Sequence, residues 1–195
     1  MLHAVVAAIA VIDAAGGLAH VLGVSSGAAI SLEAAARGAA IDRLVLYEAP
    51  FVVDDSREPQ PPDAPERMQE LIDRGARSEA VKTFMRTVGL PAPFIGLMRI
   101  LPAWKKLTGI AHTLPYDYSI VTPYQQGEPL PDGRYAAVRQ ATLVIAGGKS
   151  PDHMRTAQAA IAAAVPNAHL KTLHGQTHLV KPRVTAPVVK EFLLD

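Results

Sequence analysis

Apolar runs and helix-forming stretches alternate near both ends of the chain. Four runs have the length and composition of buried parallel strands: 18–24, 41–47, 141–146 and 168–173. Helices are predicted beside them at 26–37, 151–165 and 185–194. Strands that alternate with helices indicate an α/β fold on a parallel sheet, with right-handed crossovers that place helices on both faces.

The middle of the chain has a different pattern. Residues 54–64 are polar and rich in proline, which is typical of a linker. Short helices are predicted beyond it at 63–74, 78–88 and 91–108, the first two with Asp63 and Ser78 as N-caps. Residues 115–135 are predicted to be a loop. We therefore expect a helical insertion between the two parts of the parallel sheet.

The chain begins with an apolar stretch that predicts a helix over 2–15, ended by Gly16 and Gly17. This stretch is too short to cross a bilayer, and Asp13 interrupts it. No Lys or Arg precedes it, as a secretory signal would require. We therefore predict a buried or paired helix rather than a targeting segment or a membrane span.

Charge and cysteine content narrow the function classes. A net charge of +1 gives no electrostatic basis for binding nucleic acid or an anionic membrane. The absence of cysteine excludes disulfides, thiolate zinc sites and cysteine nucleophiles, and is consistent with a cytoplasmic protein. Neither GxGxxG nor GxxxxGK[ST] occurs, so we expect no nucleotide cofactor, and the sequence indicates no other cofactor or metal.

The sequence GVSSG at 23–27 lies between a predicted strand and a predicted helix. A serine on such a tight, strained turn projects over the carboxyl end of the sheet, and its neighbours at two positions on each side must be small. Gly23 and Gly27 are interpreted as that space around Ser25. The next amide, that of Ser26, starts the helix and is placed to stabilise a developing oxyanion.

A serine nucleophile needs a base, and His178 is the best placed of the seven histidines. It lies in the sequence GQTHLVKP, between the last predicted strand and the last helix. Loops at the carboxyl ends of the strands form the sites of doubly wound sheets. Most of the other histidines lie upstream of the GVSSG turn, in the helical insertion or at predicted strand positions, where a structural role is the simpler interpretation.

With these motifs the chain resembles the α/β-hydrolase superfamily, in particular its cap-bearing branch that acts on small molecules. The resemblance rests on GVSSG at 23–27, RLVLYEAP at 43–50, TLVIAGGKSP at 142–151 and GQTHLV at 175–180. It implies that Ser25 is the nucleophile and that His178 is the base. It also implies a helical cap at 53–135, inserted into a discontinuous core of residues 1–52 and 136–195. A small-molecule substrate is also implied.

The superfamily also uses an acid that orients the histidine, and two residues of this chain are candidates for it. Most members of the superfamily have Asp after the seventh strand, where this chain has Ser150, with Asp152 two residues further on. Glu48, at the end of the preceding strand, occupies the other position that the superfamily uses. A carboxylate is needed to orient the histidine. We favour Glu48, with Asp152 as the alternative.

The resemblance also implies strands before the GVSSG turn that have no counterpart in residues 1–17. The second oxyanion amide of the superfamily comes from that part, so we expect weak catalysis. The strand at 18–24 would then be an edge through which the chain could associate with itself.

The function favoured is a serine hydrolase of a small ester or lactone that acts through an acyl-enzyme. The alternatives are a cofactor-free haloperoxidase or lyase on the same fold, and a non-catalytic remnant that binds small ligands or a partner. Phe51, Trp104 and Leu179 are candidates for an apolar substrate pocket, as are Phe94 and Met98.

Overall fold

A computed structural model describes residues 2–194, and its centre is a four-stranded parallel sheet. The strands are β1 (Ala19–Val24), β2 (Ile41–Tyr47), β3 (Ala141–Gly147) and β4 (Ala168–Leu173), and they lie in the order β1-β2-β3-β4. Val24 pairs with Tyr47, Tyr47 with Ile145 and Gly147 with Leu173, so all four strands end at nearly the same level. The prediction of a parallel α/β sheet is confirmed.

Helices cover both faces of this sheet. The helices outside the middle segment are α1 (Leu2–Ala14), α2 (Ser26–Ala36), α8 (Asp152–Ala164) and α9 (Pro182–Leu194). Leu44 and Leu46 of β2 are buried in the main core with residues of α2 and α8. The alternate residues Val45 and Tyr47 are buried on the other face, in a cluster that includes Val189 of α9. A strand that is buried on both faces needs apolar side chains on both, which explains why the sequence of β2 is a nearly continuous apolar run.

Five helices lie between β2 and β3. They are α3 (Ala64–Asp73), α4 (Arg77–Thr87), α5 (Ala92–Met98), α6 (Pro102–Ile110) and α7 (Leu114–Val121), with short 3₁₀ turns at Ala111–Thr113 and Thr122–Tyr124. Their buried residues, Met68, Met85 and Trp104 among them, form an apolar cluster separate from the two clusters of the sheet. Division of the chain into a core and a cap at 53–135 stays a prediction, and its end residues Met1 and Asp195 lie outside the described part.

Local predictions in this helical segment were wrong at two places. The predicted loop at 115–135 begins with helix α7, because Pro115 lies in the first turn, where proline favours a helix rather than breaking one. Ser78 is not an N-cap, since α4 begins at Arg77 and the Ser78 hydroxyl instead accepts a hydrogen bond from Trp104. Asp63 has the N-cap position of α3, but its carboxylate binds Arg67 at 2.8 Å instead of a backbone amide.

A buried carboxylate fixes the segment that returns from the helices to the sheet. Glu33 of α2 is 1% exposed and forms an ion pair with Arg134 at 2.8 Å. The hydroxyls of Tyr124 and Tyr135 also donate to this carboxylate. A charge that is removed from water needs such partners. The network therefore anchors residues 124–135 against α2, although most of them have no regular secondary structure.

Strand β1 is an edge of the sheet and pairs only with β2 among the described residues. Its burial alternates, so Leu22 and Val24 remain partly exposed, which differs from the buried strand that its apolar sequence predicts. In α1, Val5 and Ile12 are buried while Val6 and Val11 are exposed. Self-association through this edge stays a prediction.

Candidate active site

Ser25, Glu48 and His178 lie together at the carboxyl end of the sheet. Ser25 directly follows β1, Glu48 directly follows β2, and His178 lies in the loop between β4 and α9. When parallel strands end at the same level, the residues that follow them all lie at the carboxyl end of the sheet. Three side chains far apart in the sequence therefore meet because the topology brings their loops together.

The three side chains form a continuous chain of hydrogen bonds. Nε2 of His178 lies 3.1 Å from Oγ of Ser25, and Nδ1 of His178 lies 3.0 Å from Oε2 of Glu48. The carboxylate of Glu48 only accepts, so Nδ1 carries the proton and Nε2 is free to accept from the serine hydroxyl. Glu48 is fully buried, whereas the His178 side chain is 37% exposed. This arrangement has the geometry of a nucleophile, a base and an orienting acid.

The turn at Ser25 is strained and closely packed. Ser25 has φ 56°, a left-handed conformation that non-glycine residues rarely adopt. Its amide donates to the carbonyl of Tyr47 at 2.9 Å, which continues the β1–β2 ladder by one residue. A Cβ on Gly23 would lie 2.5 Å from the carbonyl oxygen of Gly27 and 2.6 Å from Cα of Ala28. Strand and helix therefore approach so closely at Gly23 that only glycine fits.

Gly27 does not have the role that the sequence motif predicts for it. A Cβ on Gly27 would meet no atom within 4 Å. The space required around Ser25 is on the strand side of the turn, because the backbone of α2 crosses directly over Gly23. Only one of the two glycines of the motif is thus required by packing.

Ser26 is the first residue of α2 and directly follows Ser25. Amides in the first turn of a helix have no partner within the helix and carry the positive end of its dipole. The position of the Ser26 amide is therefore suited to an oxyanion formed on Ser25, and the oxyanion role stays a prediction.

Glu48 is held by the sheet on its backbone and by three groups on its side chain. Its φ is 48°, and its amide donates to the carbonyl of Ile145 at 3.1 Å. Oε1 accepts a hydrogen bond from the amide of Gly147 at 2.6 Å. Burial alone would raise the pKa of this carboxyl, but hydrogen bonds from His178 and Gly147 and the nearby Ser150 hydroxyl lower it below the usual range. The Ser150 oxygen faces the carboxylate without reaching normal hydrogen-bond geometry.

Two further residues fix the loops on which Glu48 and His178 lie. The Gln158 side chain, fully buried on α8, both accepts from and donates to the backbone of Ala49, at 3.1 and 2.9 Å. The hydroxyl of Tyr47 donates to the carbonyl of Thr177 at 2.7 Å, next to His178. Burial and the adjacent Glu48 raise the pKa of Tyr47, which keeps this donor protonated. Sequence reasoning missed both residues, because Gln158 lies on an ordinary helix and Tyr47 in an apolar run.

The structure distinguishes the two candidate acids by their contacts. Glu48 contacts His178, whereas the Asp152 carboxylate forms an ion pair with Arg155 at the start of α8 and is 82% exposed. Ser150 occupies the position of the more common acid, and it faces Glu48 from there. The structure therefore brings Ser25, His178 and Glu48 together and does not bring Asp152 to the histidine.

A cavity of about 480 Å³ opens at Ser25 and His178 and extends beneath the helices of the middle segment. Apolar side chains such as Phe84, Val121 and Met154 form much of its wall. This volume is within the range of small-molecule sites. Arg57, Asp117 and His153 also line it, and sequence reasoning gave none of them a role. No local motif marks these three, because the contacts that assemble the wall join distant parts of the chain.

The residues predicted for an apolar pocket lie elsewhere. Phe51 is fully buried in the main core, where its ring stacks on Tyr124 with centroids 4.3 Å apart. Trp104 is buried in the cluster of the middle helices, and Leu179 is 77% exposed. Phe94 and Met98 belong to that helical segment too, and none of the five lines the cavity. Their hydrophobicity reflects packing and surface position rather than the site.

Asp117 of α7 contributes a carboxyl group to the wall of the cavity. It lines the cavity together with Ser25 and Ser26. Burial raises its pKa, and the effect is only partly offset by the Ser26 hydroxyl. A carboxyl that resists ionisation is thus placed close to the start of α2.

In residues 2–194, no group of three or more His, Asp or Glu side chains has the geometry to hold a metal ion. No helix in this part combines the length and the hydrophobicity needed to span a membrane.

The fold and the strand-end site define a class of protein, and comparison with known families gives the same class. Residues 2–187 match the model of the alpha/beta hydrolase family, so the chain belongs to this family. No match was found among the curated proteins.

Solved structures give the same fold. An alpha/beta hydrolase from Sphaerobacter thermophilus DSM 20745 is 44% identical, with a TM-score of 0.82 over 95% of this chain and 71% of that one. A hydrolase from Pseudomonas aeruginosa PA01 is 22% identical, with a TM-score of 0.63 over 97% and 70% of the two chains. The enol-lactonase from Burkholderia xenovorans LB400 is 18% identical, with a TM-score of 0.58 over 95% and 69%.

Proposed function

We propose that this protein is a serine hydrolase that cleaves a small ester or lactone through an acyl-enzyme. The observation that carries the proposal is the hydrogen-bonded chain from Ser25 through His178 to the buried Glu48, open to a cavity of about 480 Å³. Membership of the alpha/beta hydrolase family supports the same conclusion.

In this proposal Oγ of Ser25 attacks the carbonyl carbon while its proton passes to Nε2 of His178. Glu48 stabilises the imidazolium and keeps the ring in the productive tautomer. The Ser26 amide donates to the oxyanion. The imidazolium then protonates the leaving alkoxide, and the acyl group stays on Ser25. Water, deprotonated by His178, attacks the acyl-enzyme and releases the acid.

Covalent labelling with a fluorophosphonate tests the nucleophile directly. We expect one adduct on Ser25, detected by peptide mass spectrometry, and hydrolysis of short-chain p-nitrophenyl esters and of simple lactones. Ser25→Ala should abolish the adduct and lower kcat by about 10³-fold or more. The matched control is Ser78→Ala, which loses only a hydrogen bond to Trp104 among the middle helices. Normal labelling of Ser25→Ala, or residual turnover within tenfold of the parent, would contradict the proposal.

A further inference from the structure

Arg57 is a cationic side chain in the wall of the cavity that contains Ser25 and His178. It lies in the segment between β2 and α3 and is half-buried. One of its guanidinium nitrogens donates to the carbonyl of Thr87, at the end of α4, and the other lies 3.2 Å from Nε2 of His153. These two contacts hold the guanidinium in a defined orientation.

Neither contact neutralises the charge of Arg57. The Thr87 carbonyl is neutral, and burial together with the Arg57 charge lowers the pKa of His153, which favours its uncharged form. Within the described residues, no carboxylate oxygen lies within 4 Å of this guanidinium. Asp54 and Asp152 act on His153 only at longer range, and their carboxylates bind Ser56 and Arg155. The cavity therefore contains a positive charge that has hydrogen-bond partners but no counter-ion among the described residues, beside apolar groups such as Phe84 and Met154.

A partly desolvated charge without a counter-ion is costly unless a ligand supplies one. We propose that Arg57 is an anion subsite of the cavity and that the substrate is an ester that also carries a carboxylate. The inference rests on the proposed function. Two contacts leave three of the five guanidinium N–H groups available, and the planar group matches a carboxylate in a bidentate geometry. Asp117 lines the same cavity, which disfavours a doubly charged phosphate more than a singly charged carboxylate.

A structural role for Arg57 makes a different prediction. Its contacts join the end of α4 to α8, so loss of the side chain could loosen the wall and impair every substrate equally. A subsite instead affects anionic substrates selectively, mainly through KM. The test therefore compares monomethyl adipate with its neutral isostere, methyl adipamate, in the parent, in Arg57→Gln and in the matched surface variant Arg77→Gln.

We expect Arg57→Gln to lower kcat/KM for monomethyl adipate by about 10- to 100-fold, as for loss of a charge-assisted hydrogen-bond pair. For methyl adipamate the change should stay within about threefold. Arg77→Gln should leave both values unchanged. Equal losses for the two esters, or no loss for either, would overturn the inference.

A binding measurement separates this inference from the proposed function. Monomethyl adipate, which carries a single carboxylate, is titrated calorimetrically into Ser25→Ala and into Ser25→Ala combined with Arg57→Gln, so no turnover is required. Binding that weakens tenfold or more in the second protein supports the subsite, even if no ester is cleaved and the proposed function fails. Absence of monomethyl adipate binding, or Arg57-dependent binding of inorganic phosphate that is tighter than that of monomethyl adipate, would overturn it.

Discussion

Glu48→Gln is the most informative single change, because the structure specifies which proton it displaces. Oε1 of Glu48 accepts from the Gly147 amide at 2.6 Å, and Oε2 accepts from Nδ1 of His178. A glutamine in the same place has one oxygen, which the buried Gly147 amide requires. Its amino group then faces Nδ1, which must become an acceptor. The proton moves to Nε2, and His178 can no longer take the proton of Ser25.

The magnitude follows from this tautomer. Neutralising the acid of a serine triad without changing its geometry lowers kcat by about 10⁴-fold, or about 5.5 kcal/mol. The fold should weaken much less, by about 1.5–3 kcal/mol, as for a hydrogen bond to a charged group. Because the pKa of Glu48 is lowered in the folded state, its carboxylate stabilises the fold above its ordinary value of 4.5. The difference in stability between the parent and Glu48→Gln should therefore shrink as the pH falls through the folded pKa.

The assay is single-turnover and steady-state hydrolysis of a p-nitrophenyl ester at neutral pH, with thermal unfolding measured in parallel. Asp152→Asn is the matched control, since that carboxylate is exposed and binds Arg155. It should change kcat by less than about twofold. Activity of Glu48→Gln within tenfold of the parent, or a crippled Asp152→Asn, would refute the reasoning.

Two other predictions concern the turn and the cavity. Gly23→Ala places a Cβ 2.5 Å from a backbone oxygen and should lower the free energy of unfolding by about 3 kcal/mol. The control Gly27→Ala places its Cβ in open space, and its free energy of unfolding should stay within about 1 kcal/mol of the parent. Equal effects of the two substitutions in denaturant titrations would show that the packing argument is wrong. Asp117 has a raised pKa in the folded state, so its ionisation costs stability as the pH rises above its ordinary value of 3.8. Asp117→Asn should therefore stabilise the protein at pH 7 and have little effect below pH 3.8, and a gain that does not depend on pH would contradict this explanation.

The parts that sequence predicts best are those governed by local pattern. The four strands and the helix after Ser25 follow from the apolar runs and the helix-forming stretches beside them, and their alternation predicts a parallel sheet. The turn at Ser25 can also be predicted from the sequence, because the strand, the tight turn and the helix are consecutive and give the short motif GVSSG. Local predictions fail where one residue type can either break or start a helix. Proline is the example: the prolines of residues 115–135 predict a loop, but Pro115 lies in the first turn of helix α7.

The cavity wall could not be predicted in the same way. Glu48 is adjacent to His178 only because β2 and the loop after β4 end at one edge, and the choice between Glu48 and Asp152 needed that geometry. Arg57, Asp117 and His153 come from three separate segments and share no spacing. Phe51 and Trp104 were assigned to the pocket on hydrophobicity alone, which does not distinguish a cavity wall from a packed core.

The way in which Ser25 and Glu48 are attached to the sheet has a consequence for how the site opens. Their own amides extend the strand ladders through the carbonyls of Tyr47 and Ile145. The Ser25 amide can therefore exchange its hydrogen only when the ends of β1 and β2 separate, and the Glu48 amide only when the ends of β2 and β3 separate. His178 has no such tie, and its loop depends on the Tyr47–Thr177 bond and on a backbone bond from Lys149 to Gln176. On gradual heating, the loop of His178 should therefore detach first, while Ser25 and Glu48 keep their places until the sheet itself unfolds.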